Sequence, residues 1–78
     1  MDKRLKRALV EFVLGERKEL QLHGNPRDLA VIHEAATSSR QLVIALESGD
    51  PDRVNEALQR KKEAVRIFEQ HTSQKWSI

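Results

Sequence analysis

The chain specifies an all-α fold: an antiparallel three-helix bundle, or a helical hairpin carrying a third helix, completed by dimerisation. Three observations carry that expectation. Apolar residues recur at helical spacing along most of the 78 residues, glycine and proline number only three and two, and 33% of residues are charged, a mix that suits exposed helices. Two signals, Asn25-Pro26-Arg27-Asp28 and Gly49-Asp50-Pro51-Asp52, each set a side-chain acceptor before a proline and the proline before a periodic stretch. The links left between the helices are short, so sequence neighbours are expected to pack antiparallel. The first and third helices would then run parallel to each other, both against the second.

Helix 1 is expected over residues 3–21, where Leu5, Ala8, Leu9, Phe12, Val13 and Leu20 share one face. Gly15 lies inside it, either tolerated at a cost of about 1 kcal/mol or marking a bend. His23-Gly24 ends the segment, with Gly24 placed as the residue just past the helix. Helix 2 is expected over 26–48. Asn25 can accept from the first-turn N–H groups, Pro26 loses nothing at the first helical position, and Asp28 carries a favourable charge near the positive helix end. Positions 29, 32, 36, 39, 43 and 46 form a heptad seam with Ser39 inside it; a hydroxyl there can bond back to the carbonyl one turn earlier. Val31, Ala35, Leu42 and Ala45 widen the apolar face enough for two neighbours. Helix 3, over 51–70, buries Val54, Ala57, Leu58, Ala64, Val65 and Phe68 on one face. Residues 71–78 are expected to be a frayed tail. Lys61 falls inside the apolar arc of helix 3; it either meets Glu16 across the bundle or extends its stem so that the ammonium reaches water.

Leu46-Glu47-Ser48-Gly49-Asp50-Pro51-Asp52, followed by Ala57-Leu58, resembles the inter-helix turn of helical hairpins such as tetratricopeptide-like units and small export chaperones. The resemblance implies a hairpin there and no family membership, because the tetratricopeptide spacing of tryptophan, leucine, glycine and tyrosine is missing.

Several function classes find no support. Fourteen basic residues against twelve acidic ones, a net charge of +2, describe solubility rather than a nucleic-acid partner. Without cysteine there is no disulfide or thiolate–metal staple. No apolar run approaches the ~18 residues of a membrane span, and no secretory signal is read at the start; a cytoplasmic protein is expected. His23, His33 and His71 do not pair at the spacing of a helical metal face. Ser39 has no base placed by local spacing, and the three glycines build no phosphate loop. No enzyme activity, cofactor, metal or small-molecule substrate is expected.

What remains is surface. The outer face of helix 1 gathers Lys3, Lys6, Arg7, Arg17 and Lys18 around Val10 and Leu14, with no acidic residue expected in the arc. Ile44, Ile67, Trp76 and Ile78 also lie off the core faces. A chain this short without cysteines or metal often gains stability from a partner. The reading is a protein–protein interaction module (adaptor, small chaperone or accessory regulator) that packs helices as a homodimer or on another protein. Its contacts would be Val10, Leu14 and Ile44, flanked by Arg7 and Arg17. The alternative is a nucleic-acid-binding accessory protein using Lys3, Lys6, Arg7, Arg17 and Lys18.

Overall fold

The computed structural model describes residues 1–78 and contains three helices and no strand: α1 (Lys3–Val13), α2 (Pro26–Ser48) and α3 (Pro51–Thr72). Both proline-led starts form as their residues dictate. The Asn25 side chain accepts from the Arg27 N–H at 2.8 Å, and Asp50 from the Asp52 N–H at 3.0 Å, so each cap satisfies a donor that has no intrahelical partner. Gly49 ends α2 in the left-handed region at φ 71°, which glycine enters without steric cost.

α2 and α3 form an antiparallel hairpin. Asp28 meets His71 at one end, Glu34 meets Arg60 midway, and Ala45 and Ala57 share a groove beside the turn. The buried residues of the hairpin are mostly small, Ala35, Ala36, Ser38, Ser39 and Ala45 on α2 and Ala64 on α3, which allows neighbouring elements to approach closely. Phe68 is the one large side chain of α3 that is buried. The Ser38 and Ser39 hydroxyls both donate to the Ala35 carbonyl, at 3.0 and 2.8 Å, so the buried seam carries no unpaired hydroxyl at these positions.

α1 departs from expectation. It ends at Val13, eight residues early, because Gly15 is not an interior glycine. It takes φ 83°. Its N–H donates to the Phe12 carbonyl at 3.1 Å, and the Glu16 N–H donates to the Glu11 carbonyl at 2.8 Å. This pair of bonds is the Schellman closure, with glycine just past the cap residue. A twelve-residue connection follows, from Leu14 to Asn25, with no regular structure. Leu20 still packs on the core cluster of Leu9, Phe12 and Ala36, from a loop rather than from a helix.

The long connection reverses the expected orientation. Leu5 and Ile32 line one groove at the start of both helices, and the Arg40 guanidinium sits 5.0 Å from the centre of the Phe12 ring at the other end of α1. α1 therefore runs parallel to α2, and the connection carries the chain back. No Cα of α1 comes within 8 Å of one in α3. The gap between them is filled by residues 73–78, the segment expected to fray. α3 continues two residues further than expected, to Thr72, and Ser73 turns the chain off the helix at φ 58°. Trp76 and Ile78 then pack on the cluster of Leu9, Phe12 and Ala36. Trp76 stands edge-on to Phe68 with ring centres 5.1 Å apart. Its indole N–H donates to the Ser39 hydroxyl oxygen at 3.1 Å. Lys61 meets neither Glu16 nor open water alone; its ammonium donates to the main-chain oxygen of Ile78 at 3.1 Å.

The molecule measures 36 × 26 × 18 Å. Eighteen ångströms is less than two helix diameters, so most side chains reach the surface and only ten residues are buried.

Candidate protein-interaction surface

The outer face of α1 is not the uninterrupted positive strip that was expected. Glu11 projects into it, and the early end of α1 folds Arg17 back over the same carboxylate. Arg7 Nε donates to Glu11 Oε1 at 3.1 Å, while Arg17 reaches Oε2 with Nη2 at 2.9 Å and Nε at 3.3 Å. Both pairs belong to one local closure, because the Arg17 and Glu16 N–H groups donate to the Glu11 carbonyl. The Arg17 guanidinium, and then that of Arg7, holds the Glu11 carboxyl below the usual carboxylate range. Lys3, Lys6, Arg7 and Val10 line a shallow groove with Glu11 and Glu16, so two carboxylates end the positive stretch. Lys18 is exposed on the connection beyond α1. Phosphate tracking needs positive charge without such breaks.

The proposed apolar contacts also separate. Val10 is half-buried in the α1 groove. Ile44, 47% exposed, belongs to another groove on the hairpin, between Gln41, Arg53, Glu56, Ala57 and Arg60. Across that hairpin Arg60 forms a two-pronged bond with Glu34, at 2.9 and 3.2 Å, which raises the arginine further above its already high pKa. Both partners are half-exposed, so the pair orients the helices more than it stabilises them. Leu14 lies in neither groove. It caps the end of α1 and is 57% exposed.

A third surface emerges from how far α1 and the 73–78 segment reach. They cover the α2 seam at Ile32, Ala36 and Ser39. The same seam continues through Val43, half-buried, to Leu46, which is 59% exposed. On α3 the matching stripe leaves Val54 and Leu58 only partly covered. The heptad positions gave this signal in the sequence; what they could not give was where the covering helix stops. Leu14 stands at the same end of the molecule, because Phe12 is level with Arg40.

The remaining polar chemistry is dispersed. His71 Nε2 lies 2.7 Å from Asp28 Oδ1, joining the end of α3 to the start of α2. His33 is exposed on α2, and His23 is exposed on the connection. No helix is long and apolar enough to cross a membrane. No family model, curated protein or solved structure matches this chain.

Proposed function

We propose that the chain is a non-enzymatic protein–protein interaction module acting through helix packing, and that the partner is a second copy of itself. The observation that carries this reading is the apolar seam of α2 running past its cover to Leu46, 59% exposed. Apolar side chains in such a stripe gain roughly 1.5–3 kcal/mol each when fully buried. A near-balanced charge of +2 sets little repulsion against self-association. The interface centres on Leu46 and Leu14 toward the hairpin tip, with Leu58 at its edge beside the 73–78 segment. Val10 with Arg7, and Ile44 with its flanking charges, lie outside that centre and act at most as rim contacts. Adaptor, small chaperone and accessory regulator all describe such a module, and a cysteine-free chain is compatible with a cytoplasmic setting.

Sedimentation velocity over a range of concentrations tests the reading. The wild type is expected to shift from monomer to dimer as concentration rises. Full-length Leu46→Ser and Leu58→Ser variants are expected to weaken association by about tenfold or more, one buried leucine being worth at least 1.4 kcal/mol. A wild type that stays monomeric at every concentration overturns it. Nucleic-acid binding that falls steeply with salt and disappears when Lys3, Lys6 and Arg7 are neutralised would transfer the function to the α1 face.

A further inference from the structure

Segment 73–78 is held by the rest of the chain in the way a bound peptide is held. None of residues 74–78 takes part in a main-chain to main-chain hydrogen bond. Side chains of α3 grip its backbone instead. Glu69 Oε2 accepts from the Trp76 N–H at 2.9 Å, Thr72 Oγ1 accepts from the Gln74 N–H at 3.2 Å, and Lys61 Nζ donates to the Ile78 oxygen at 3.1 Å. Over residues 75–78 the side chains alternate, the spacing of an extended strand. Trp76 and Ile78 face the core, while Lys75 and Ser77 are exposed. The indole is read twice, by its edge-on contact with Phe68 and by its N–H bond to Ser39. Main-chain bonds with pockets for alternate side chains are the general means of recognising an extended peptide. A groove of 380 Å³ opens beside the segment, lined by Leu58, Lys61 and Val65 of α3 and by Trp76 and Ile78 of the segment itself.

We propose that the trough between α1, α2 and α3 is a binding site for an extended peptide of a partner protein, an aromatic residue followed two positions later by an aliphatic one. Segment 73–78 is its intramolecular competitor. Release requires one joint to change, at Ser73, which leaves α3 in the left-handed conformation at φ 58°. The helical hydrogen bonds of α1, α2 and α3 are untouched by that change. The proposal shares Leu58 alone with the hairpin-tip interface; Trp76 and Ile78, the side chains that test it, lie outside that interface.

The test uses the full chain carrying both Trp76→Ala and Ile78→Ala, and a fluorescein-labelled peptide Ser-Gln-Lys-Trp-Ser-Ile read by anisotropy. The double variant is expected to bind the peptide saturably. The wild type is expected to bind it about tenfold more weakly or worse, because its own segment occupies most of the sites. A peptide with alanine in place of its tryptophan is expected not to bind. A folded double variant that does not bind, or equal affinity for both proteins, overturns the proposal. Should the double variant be unfolded, recovery of its helical circular dichroism on adding the peptide supports the site, and no recovery overturns it. A wild-type dimer that the double variant loses, with Leu46→Ser leaving it intact, would assign the trough to exchange between copies and overturn the partner reading.

Discussion

Single side chains decide more of this molecule than its length suggests. Ser39 illustrates how. Its hydroxyl donates to the Ala35 carbonyl and accepts from the Trp76 indole, so one buried oxygen closes a helix turn and docks a distant segment. The back-bond is readable from a serine in an apolar seam; the indole is not, because 37 residues separate the partners. Glu11 has a comparable double role, binding Arg7 one turn earlier and Arg17 beyond the helix end. Its carboxyl is held below the usual range, first by Arg17 and then by Arg7. A carboxyl whose pKa is lower folded than unfolded binds fewer protons in the native state. Its stabilising contribution is therefore present above the unfolded value, near 4.5, and is lost as pH falls through the folded value. Glu11→Gln is expected to lower thermal stability slightly at pH 7 and to converge with the wild type in acid below that range. Added salt should shrink the neutral-pH gap, since the pair is screened. Melting curves that differ equally at every pH would show that Glu11 acts through packing instead of charge.

At the scale of elements, the starts of α2 and α3 are legible because caps and prolines act within one turn of themselves. The end of α1 is a different case. Leu20 falls on the continuation of the α1 face and does enter the core, so its periodicity agrees with a helix that is not there. The discriminating fact is the backbone at Gly15, where φ is 83°. It fixes the sign of a substitution. Were Gly15 in a helix interior, alanine would stabilise by up to about 1 kcal/mol. In the left-handed region a Cβ costs about 1–2 kcal/mol, although open space surrounds the position. Gly15→Ala is thus expected to destabilise by about 1–2 kcal/mol in urea denaturation with an unchanged slope, and a stabilised variant would place Gly15 inside a continuous helix. Misplacing that end also misplaces the topology. A helix to residue 21 leaves a short link that forces an antiparallel neighbour, whereas twelve residues can span up to about 40 Å and let α1 run parallel to α2. The 73–78 segment is hidden for a related reason. Its polar composition reads as a loose tail, and only the period-two placement of Trp76 and Ile78 marks it as extended and one-sided.

For the whole molecule, the arrangement is a hairpin with two separate covers that share one cluster. The hairpin is held by close contact along small residues and by caps at both starts, while the Asp28–His71 and Glu34–Arg60 contacts orient its helices. α1 approaches α2 alone, through Leu9, Phe12 and Val13, and the 73–78 segment lies on the same Leu9–Phe12–Ala36 cluster. Elements attached through few buried side chains open at lower free energy than the body they cover. α1 and the 73–78 segment should therefore loosen together, ahead of the hairpin. Phe12→Leu isolates the link, because it shrinks the shared cluster and removes the ring that faces Arg40 without touching the hairpin contacts. A cost of roughly 1–2 kcal/mol would raise the open population by a factor of roughly 5–30. Amide exchange in α1 is expected to accelerate by that factor, the emission of Trp76, the only tryptophan, to shift to the red, and the slowest amides of α2 and α3 to accelerate less. Trp76 emission that stays fixed while α1 exchange accelerates would show that the two covers open independently, and that the trough can retain its occupant after α1 has left.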